Sequence, residues 1–132
     1  MSESILQPQL KIVTVDDSPI IAERVEAMLS DMNNVTFLGN ASNISEALSL
    51  IKTHEPNVVI LDIHLEDNLL KANGITLLII LRKKYPGLKI IILTNMAEDQ
   101  YRHTCIDFGA DYFFDKSDDF DKIPDTLRKI MI

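Results

Sequence analysis

The sequence has little cysteine and no long hydrophobic run. One thiol among 132 residues, Cys105, excludes an internal disulfide framework and any multi-cysteine metal site. The longest apolar runs, such as Leu77–Leu81 and Ile90–Leu93, are far shorter than the ~20 residues that cross a bilayer. Residues 1–4 provide neither the basic start nor the apolar segment of a signal peptide. We therefore expect a cytoplasmic protein with no membrane insertion.

Positive charge is also scarce. The chain has 13 Lys and Arg residues against 20 Asp and Glu residues, and its net charge is −7. Such a chain repels a phosphate backbone, and no stripe of basic residues offsets the repulsion, so we expect no direct binding of nucleic acid. Glycine-rich turns are missing after the first apolar run, which excludes a dinucleotide-binding site of the usual kind.

The remaining composition is that of one globular domain. Apolar residues make up 46% of the chain and charged residues 25%, and there is no internal repeat, linker or low-complexity stretch. We predict a single domain over residues 10–132, preceded by a flexible lead-in over residues 1–9.

Five short, β-rich apolar runs recur along the chain, and each of the first four is followed by a helical pattern of apolar residues. Strands that alternate with helices predict an α/β fold with parallel strands joined by right-handed crossovers. The predicted strands are Leu10–Val15, Val35–Leu38, Val58–Leu61, Lys89–Leu93 and Asp111–Phe114.

Capping and breaking residues place the helices. The first helix is predicted to begin at Ser18-Pro19, the second at Asn43 and the third near Gly74. The fourth is predicted to stop at Gly109, and the last to run mainly from Pro124.

The exposed side of the third helix is predicted from its polar residues Thr76, Lys83 and Lys84. Two aliphatic residues of this helix, Leu77 and Ile80, fall outside its predicted core stripe. They are either ordinary exposed aliphatics or, together with Leu69 and Leu70, an apolar patch for a partner. The predicted core stripe is Ile75, Leu78, Leu81 and Tyr85.

Polar residues follow four of the predicted strands. In an open α/β sheet ligands bind beyond the carboxyl ends of the strands, so these residues are predicted to gather at one edge. Three neighbouring carboxylates repel one another unless a cation lies among them or one is protonated, and Mg²⁺ is such a cation. An ammonium beside the metal suits an anionic group, and the set is typical of a phosphoryl site. The residues are Asp16-Asp17, Asp62, Thr94 and Asp115-Lys116.

The order of these motifs resembles the receiver domain of bacterial response regulators, from about Lys11 to Ile130. The matching motifs are Val15–Ser18, Val59–Ile63, Ile92–Asn95 and Gly109–Lys116. The resemblance implies a flavodoxin-like, doubly wound five-stranded parallel sheet with strand order 2-1-3-4-5. That order places the first and third strands side by side, at the topological switch point.

The resemblance also implies roles for the acidic residues. Asp62 is the expected phosphoacceptor, which attacks a phosphohistidine of a partner kinase. Asp16 and Asp17, with Asp62 and the backbone carbonyl of His64, are the expected ligands of Mg²⁺.

Three further residues match the positions that bind and sense the phosphoryl group. Lys116 is expected to pair with the phosphoryl oxygens, and Thr94 to swing in and hydrogen-bond the group. Phe113, three residues before the lysine, is expected to be the aromatic switch residue.

The sequence departs from the family pattern in three places. Ser117 replaces the proline that usually follows the lysine, so a cis bond between residues 116 and 117 cannot be assumed. Asn95 stands where a small residue is common and is expected to narrow access to the phosphoryl group. The segment 64–73 is longer than usual and forms an extended loop that covers the site, docks a kinase or does neither.

The predicted function is that of a stand-alone receiver, a signalling module that is not an enzyme beyond its own phosphorylation and dephosphorylation. Its expected partners are a sensor histidine kinase or phosphotransfer protein and a downstream protein target, and its expected state is a monomer or weak homodimer. One alternative, an aspartate-nucleophile phosphohydrolase, needs an Asp-x-Asp motif, whereas the strand end has Asp62-Ile63-His64. Another is a degenerate receiver that binds partners without phosphorylation.

Overall fold

The computed structural model describes residues 9–67 and 72–131. Within these ranges five parallel strands form one sheet, and the strand order confirms the predicted 2-1-3-4-5. The strands are β1 (Leu10–Val15), β2 (Val35–Ala41), β3 (Val58–Leu61), β4 (Lys89–Thr94) and β5 (Tyr112–Asp115).

Helices cover both faces of this sheet, because two separate core clusters flank it. One cluster joins the sheet to α2, α3 and α4, and the other joins it to α1 and α5. Both faces of β3 and β4 are covered, which explains why these strands are apolar at almost every position. The helices are α1 (Pro19–Leu29), α2 (Ile44–His54), α3 (Gly74–Lys84), α4 (Asp99–Asp107) and α5 (Ile123–Met131).

Two short elements complete the described chain. A 3₁₀ turn over Phe120–Lys122 precedes α5. Glu66–Asp67 pairs antiparallel with Ala72–Asn73 within the extended loop 64–73. Residues 68–71, and with them Leu69 and Leu70, lie outside the described residues, as do residues 1–8 of the predicted lead-in and residue 132. No helix in the described ranges is long and apolar enough to cross a membrane.

Strand β2 continues three residues beyond its predicted end at Leu38. The pairing with β1 shifts register between Ile12, opposite Phe37, and Val13, opposite Gly39. A bulge of this kind adds one residue to a strand, and Gly39 adopts a φ of +147° that other residues rarely tolerate. The glycine that suggests a strand end therefore lies inside the strand and allows it to continue to Ala41.

The predicted core stripe of α3 is confirmed at Leu78 and Leu81, but the prediction that Leu77 lies outside the core is wrong. Leu77 is fully buried with Leu78 and Leu81, whereas Ile79 is the aliphatic residue of this helix that is 43% exposed. The prediction treated Thr76 as a sign of the wet side. The structure shows that Thr76 is polar for another reason: its hydroxyl accepts from the N–H of Asn73 and closes a capping box.

Candidate receiver phosphorylation site

The carboxyl edge of the sheet brings the predicted acidic residues together. Asp16 directly follows β1 and Asp62 directly follows β3, and the two strands pair so that Val15 lies opposite Leu61. Both carboxylates are nearly buried, with 3% and 5% of the residue exposed. The neighbouring strands therefore hold two acids side by side at the topological switch point.

Lys116 reaches both of these acids from the end of β5. Its Nζ lies 2.8 Å from Asp16 Oδ2 and 2.9 Å from Asp62 Oδ2. Burial alone disfavours the charged ammonium, but the hydrogen bonds to the two carboxylates outweigh it and raise the pKa of Lys116. Burial also raises the pKa of Asp16, against the opposing effect of Lys116. One ammonium thus leaves two buried carboxylates only partly neutralised, which favours a further positive charge at this site.

Backbone N–H groups orient the other oxygen of each acid. Asp16 Oδ1 accepts a 2.8 Å hydrogen bond from the N–H of Ser18, and Asp62 Oδ1 accepts one of 2.9 Å from the N–H of His64. Ser18 is the N-cap of α1, as predicted, but its side chain makes no capping hydrogen bond. Both carboxylates are therefore held by one lysine and by the turns that follow their strands.

Asn40, which sequence analysis missed, supports Asp16 from the neighbouring strand. Its Nδ2 donates to the backbone carbonyl of Asp16 at 3.1 Å, while its Oδ1 accepts from the hydroxyl of Thr14 at 2.7 Å. Asn40 lies in the part of β2 beyond the bulge, so the predicted strand end at Leu38 concealed it.

Gly74 brings the start of α3 against the backbone of the central acid. A Cβ at this position would collide with the carbonyl oxygen of Asp62 and with Cα of Ile63. The N–H of Gly74 donates to the carbonyl of Ile63 at 3.2 Å. Because residue 74 has no side chain, the start of α3 can lie directly against the backbone of Asp62 and Ile63.

The loop after β5 holds Lys116 in place. The N–H of Lys116 donates to the carbonyl of Thr94 at 3.0 Å, and Asp119 Oδ2 accepts from the N–H of Asp115 at 3.0 Å. This backbone hydrogen bond, followed by Lys122, lowers the pKa of Asp119. Asp115 Oδ1 accepts in turn from the N–H of Ser117, and no peptide bond in the described ranges is cis.

A cavity of about 450 Å³ opens beside Asp62 and Lys116. Asp17, which is exposed, contributes a second carboxylate to its lining, besides that of Asp62. Within residues 9–67 and 72–131 no cluster of three His, Cys, Asp or Glu side chains has the geometry of a metal site. The donors that face the cavity are nevertheless hard oxygens, the kind that Mg²⁺ prefers. Its lining residues are Asp17, Ser18, Ile21, Asp62, His64, Asn95, Met96 and Lys116.

The family model of the response regulator receiver domain matches residues 12–128. The chain belongs to this family. Its members are signalling modules and generally not classical enzymes. The response regulator protein VraR from Staphylococcus aureus strain Mu3 is 24% identical over 120 residues, which are 91% of this chain and 56% of that protein. The receiver chain thus spans about half the length of the curated relatives it matches.

Solved structures agree with the fold of this receiver. A LuxR-family two-component response regulator from Aurantimonas sp. SI85-9A1 has a TM-score of 0.82 and 22% identity, and the match covers 93% of this chain and 85% of that one. The isolated receiver domain of RcsB from Salmonella enterica serovar Typhimurium, in the presence of the phosphomimetic BeF₃⁻, has a TM-score of 0.82 and 21% identity. That match covers 92% of this chain and 89% of the other.

The two residues predicted to sense the phosphoryl group lie on β4 and β5 of the receiver. Thr94 is fully buried, and its hydroxyl accepts from the N–H of Met96 at 3.1 Å. Phe113 is only 4% exposed and pairs with Ile92 of β4. Arg102 of α4, which sequence analysis did not assign to the site, contacts Phe113 directly.

Proposed function

We propose that the receiver accepts a phosphoryl group on Asp62 from a phosphohistidine of a sensor histidine kinase or phosphotransfer protein, in a Mg²⁺-dependent reaction. The observation that carries the proposal is the buried cluster of Asp16, Asp62 and Lys116, in which one ammonium bridges two carboxylates at 2.8 and 2.9 Å. A cluster with excess negative charge, beside a cavity, suits a site that takes up a cation and then an anion.

The proposed reaction forms one bond and breaks one. A carboxylate oxygen of Asp62 attacks the phosphorus, the P–N bond of the donor breaks, and its electron pair returns to the imidazole, which takes up a proton from solvent. The N–H of His64 and the turn after β3 orient the attacking carboxylate. Lys116, already 2.9 Å from Asp62, then lies where it pairs with a phosphoryl oxygen.

Asp16, Asp17, Asp62 and the backbone carbonyl of His64 are the proposed ligands of Mg²⁺. A bound Mg²⁺ neutralises the charge that develops on the transferring phosphoryl oxygens. The donors supplied by the chain are all oxygens, and Mg²⁺ keeps several waters, so few protein ligands are needed. Asp17 is exposed, so its carboxylate is free to contact the cation.

We also propose that the phosphorylated receiver signals to a protein target through Thr94 and Phe113. Phosphorylation is proposed to shift the equilibrium between two existing conformations of these residues. A ligand can shift such an equilibrium only by as much as its affinities for the two states differ. The net charge of −7 favours a protein target over nucleic acid. A similar solved structure, the two-component response regulator RcsB, is a complex with DNA, and the match covers 60% of that chain.

Acetyl phosphate with Mg²⁺, followed by intact-mass measurement, tests the proposal. We expect one phosphoryl adduct on the wild type and none on Asp62→Asn, because an amide has no anionic oxygen to attack phosphorus. Asp107→Asn, which changes an exposed aspartate at the end of α4, is the matched control and should be labelled like the wild type. Equal labelling of Asp62→Asn and Asp107→Asn would show that Asp62 is not the acceptor.

A further inference from the structure

Arg102 joins α4 to the switch residue on β5 by two contacts. Its guanidinium carbon lies 4.8 Å from the centre of the Phe113 ring. Its Nη1 also donates a 3.1 Å hydrogen bond to the backbone carbonyl of Phe113. A guanidinium above an aromatic face is attracted by the ring electrons, and the hydrogen bond fixes the guanidinium in that position.

The ring of Phe113 occupies an inward position. Only 4% of the residue is exposed, and it packs in the core cluster that contains Cys105 of α4 and, at its edge, Tyr101 and Met96. Arg102 is anchored to the main chain of Phe113, so an outward rotation of the ring separates the ring from the guanidinium. The cation–π contact therefore stabilises the inward ring relative to an exposed one.

The inward ring and the proposed phosphoryl group are linked through Thr94. The hydroxyl of Thr94 now faces the N–H of Met96, and to bind a phosphoryl group on Asp62 it must move towards the site. Such a movement opens space beside Met96, which packs against the same cluster as Phe113. Closely packed interiors do not keep such a space empty, and a ring that is already held inward can relax into it. A contact that keeps the ring inward thus favours the phosphoryl-bound state.

We propose that Arg102 is a positioning residue, a latch that holds the Phe113 ring inward and thereby favours the phosphoryl-bound conformation of the receiver. The inference rests on the proposed acceptance of a phosphoryl group at Asp62. Loss of a cation–π contact at a partly exposed site changes a two-state population by about two- to five-fold. By linkage, the same factor bounds the change in apparent affinity for a phosphoryl mimic.

Fluorine NMR of the receiver labelled with 4-fluorophenylalanine measures both the exposure of the Phe113 ring and the apparent affinity for a phosphoryl mimic. The Phe113 resonance is identified by its loss in Phe113→Leu, and its broadening by a soluble paramagnetic agent reports ring exposure. A titration with beryllofluoride in the presence of Mg²⁺ gives the midpoint of the response. Arg24→Gln is the matched control, because the guanidinium of Arg24 lies 4.2 Å from the ring of Phe120, away from the switch residue.

We expect Arg102→Gln to increase exposure of the Phe113 ring and to raise the beryllofluoride midpoint by about two- to five-fold. Arg102→Lys should fall between this variant and the wild type, because lysine keeps the charge but lacks the planar face. Arg24→Gln should change neither quantity. If Arg102→Gln does not fold, Arg102→Lys carries the same test.

Two results would overturn the latch: a Phe113 ring as protected in Arg102→Gln as in the wild type, or a more exposed ring with an unchanged or lower midpoint. A wild-type receiver that does not respond to beryllofluoride would instead contradict the proposed function at Asp62. The ring exposure measured without beryllofluoride still tests the latch in that case, so the two failures are distinguishable.

Discussion

Replacement of Lys116 by Met tests how the buried charges of the site are balanced. Within the described residues, Lys116 is the cation that contacts both Asp16 and Asp62, at 2.8 and 2.9 Å. Methionine keeps most of the unbranched side chain but has no charge. The two poorly hydrated carboxylates then repel each other without an ammonium between them. We therefore expect Lys116→Met to lower the free energy of unfolding at neutral pH in the absence of divalent cations.

The size of this effect follows from the burial of the cluster. Removing one partner of a fully buried ion pair costs about 3–5 kcal/mol. Water in the adjacent cavity hydrates the carboxylates in part, so we expect a smaller loss of about 2–3 kcal/mol. For 132 residues, each kcal/mol corresponds to roughly 3–4 °C in melting temperature, which gives a decrease of about 6–12 °C.

The loss should shrink as the pH falls. Protonation relieves the repulsion between the two carboxylates in the folded variant, so the folded state takes up a proton more readily than the unfolded chain. Stability then rises as the pH falls, which is the sign required when the folded state binds more protons. Urea unfolding in EDTA at neutral pH and near pH 5 measures the difference between variant and wild type.

Lys122→Met is the matched control for Lys116→Met. Lys122 also pairs with an aspartate, with Nζ 2.8 Å from Asp119 Oδ1, but its side chain is 64% exposed. Exposed pairs contribute about 0–1 kcal/mol, so this variant should remain close to the wild type. If Lys116→Met and Lys122→Met are equally stable at neutral pH without divalent cations, the reasoning about the buried cluster is wrong.

Three further predictions concern the metal, the switch and the core. Asp17→Ala should keep its fold, since Asp17 is exposed, but lose Mg²⁺-dependent labelling in an intact-mass titration; unchanged labelling at low Mg²⁺ would contradict the metal role. Thr94→Ala should still accept a phosphoryl group yet lose most of the amide shifts that beryllofluoride causes in α4 and β5, and identical shifts would remove Thr94 from the mechanism. Leu77→Ala should destabilise the receiver by about 2–5 kcal/mol in urea unfolding, whereas Ile79→Ala should stay within about 0.5 kcal/mol; equal losses would contradict the observed phase of α3.

Two of the central strands, β1 and β3, were predictable from the sequence with their bounds. Leu10–Val15 and Val58–Leu61 are short apolar runs that end at an aspartate, and the structure confirms both. Burial on both faces requires apolar residues throughout the strand, so a charged residue marks the point where the strand leaves the part of the sheet that helices cover. For the same reason the sequence indicated that Asp16, Asp62 and Lys116 would meet.

The phase of α3 was not predictable from polarity alone. Thr76 is polar because it caps the helix, and Ile79 is exposed although it is aliphatic. A helix in which nearly every residue from Ile75 to Leu81 is apolar gives no polar face from which to set its rotation. The packing of Leu77 in the core beside the sheet decides the phase, and the sequence of the helix alone does not predict this contact.

Asn40 and Arg102 show a second limit of sequence analysis. Each acts on a residue of another element: Asn40 on the backbone of Asp16, and Arg102 on Phe113. Such contacts depend on the register between strands and on the rotation of a helix over the sheet. The bulge between Phe37 and Gly39 sets the register that brings Asn40 to Asp16, and no spacing rule along the chain predicts it.

Chemical localisation of the phosphoryl group tests the assignment of Asp62 most directly. Borohydride reduces an aspartyl phosphate to homoserine, so peptide sequencing by mass spectrometry identifies the modified position in the unmutated receiver after treatment with acetyl phosphate and Mg²⁺. We expect homoserine at position 62 and unmodified aspartate at positions 16 and 17, because Asp62 is the one of these three that both contacts Lys116 and lines the cavity. Homoserine at position 16 or 17, or at no position in a labelled sample, would contradict the assignment.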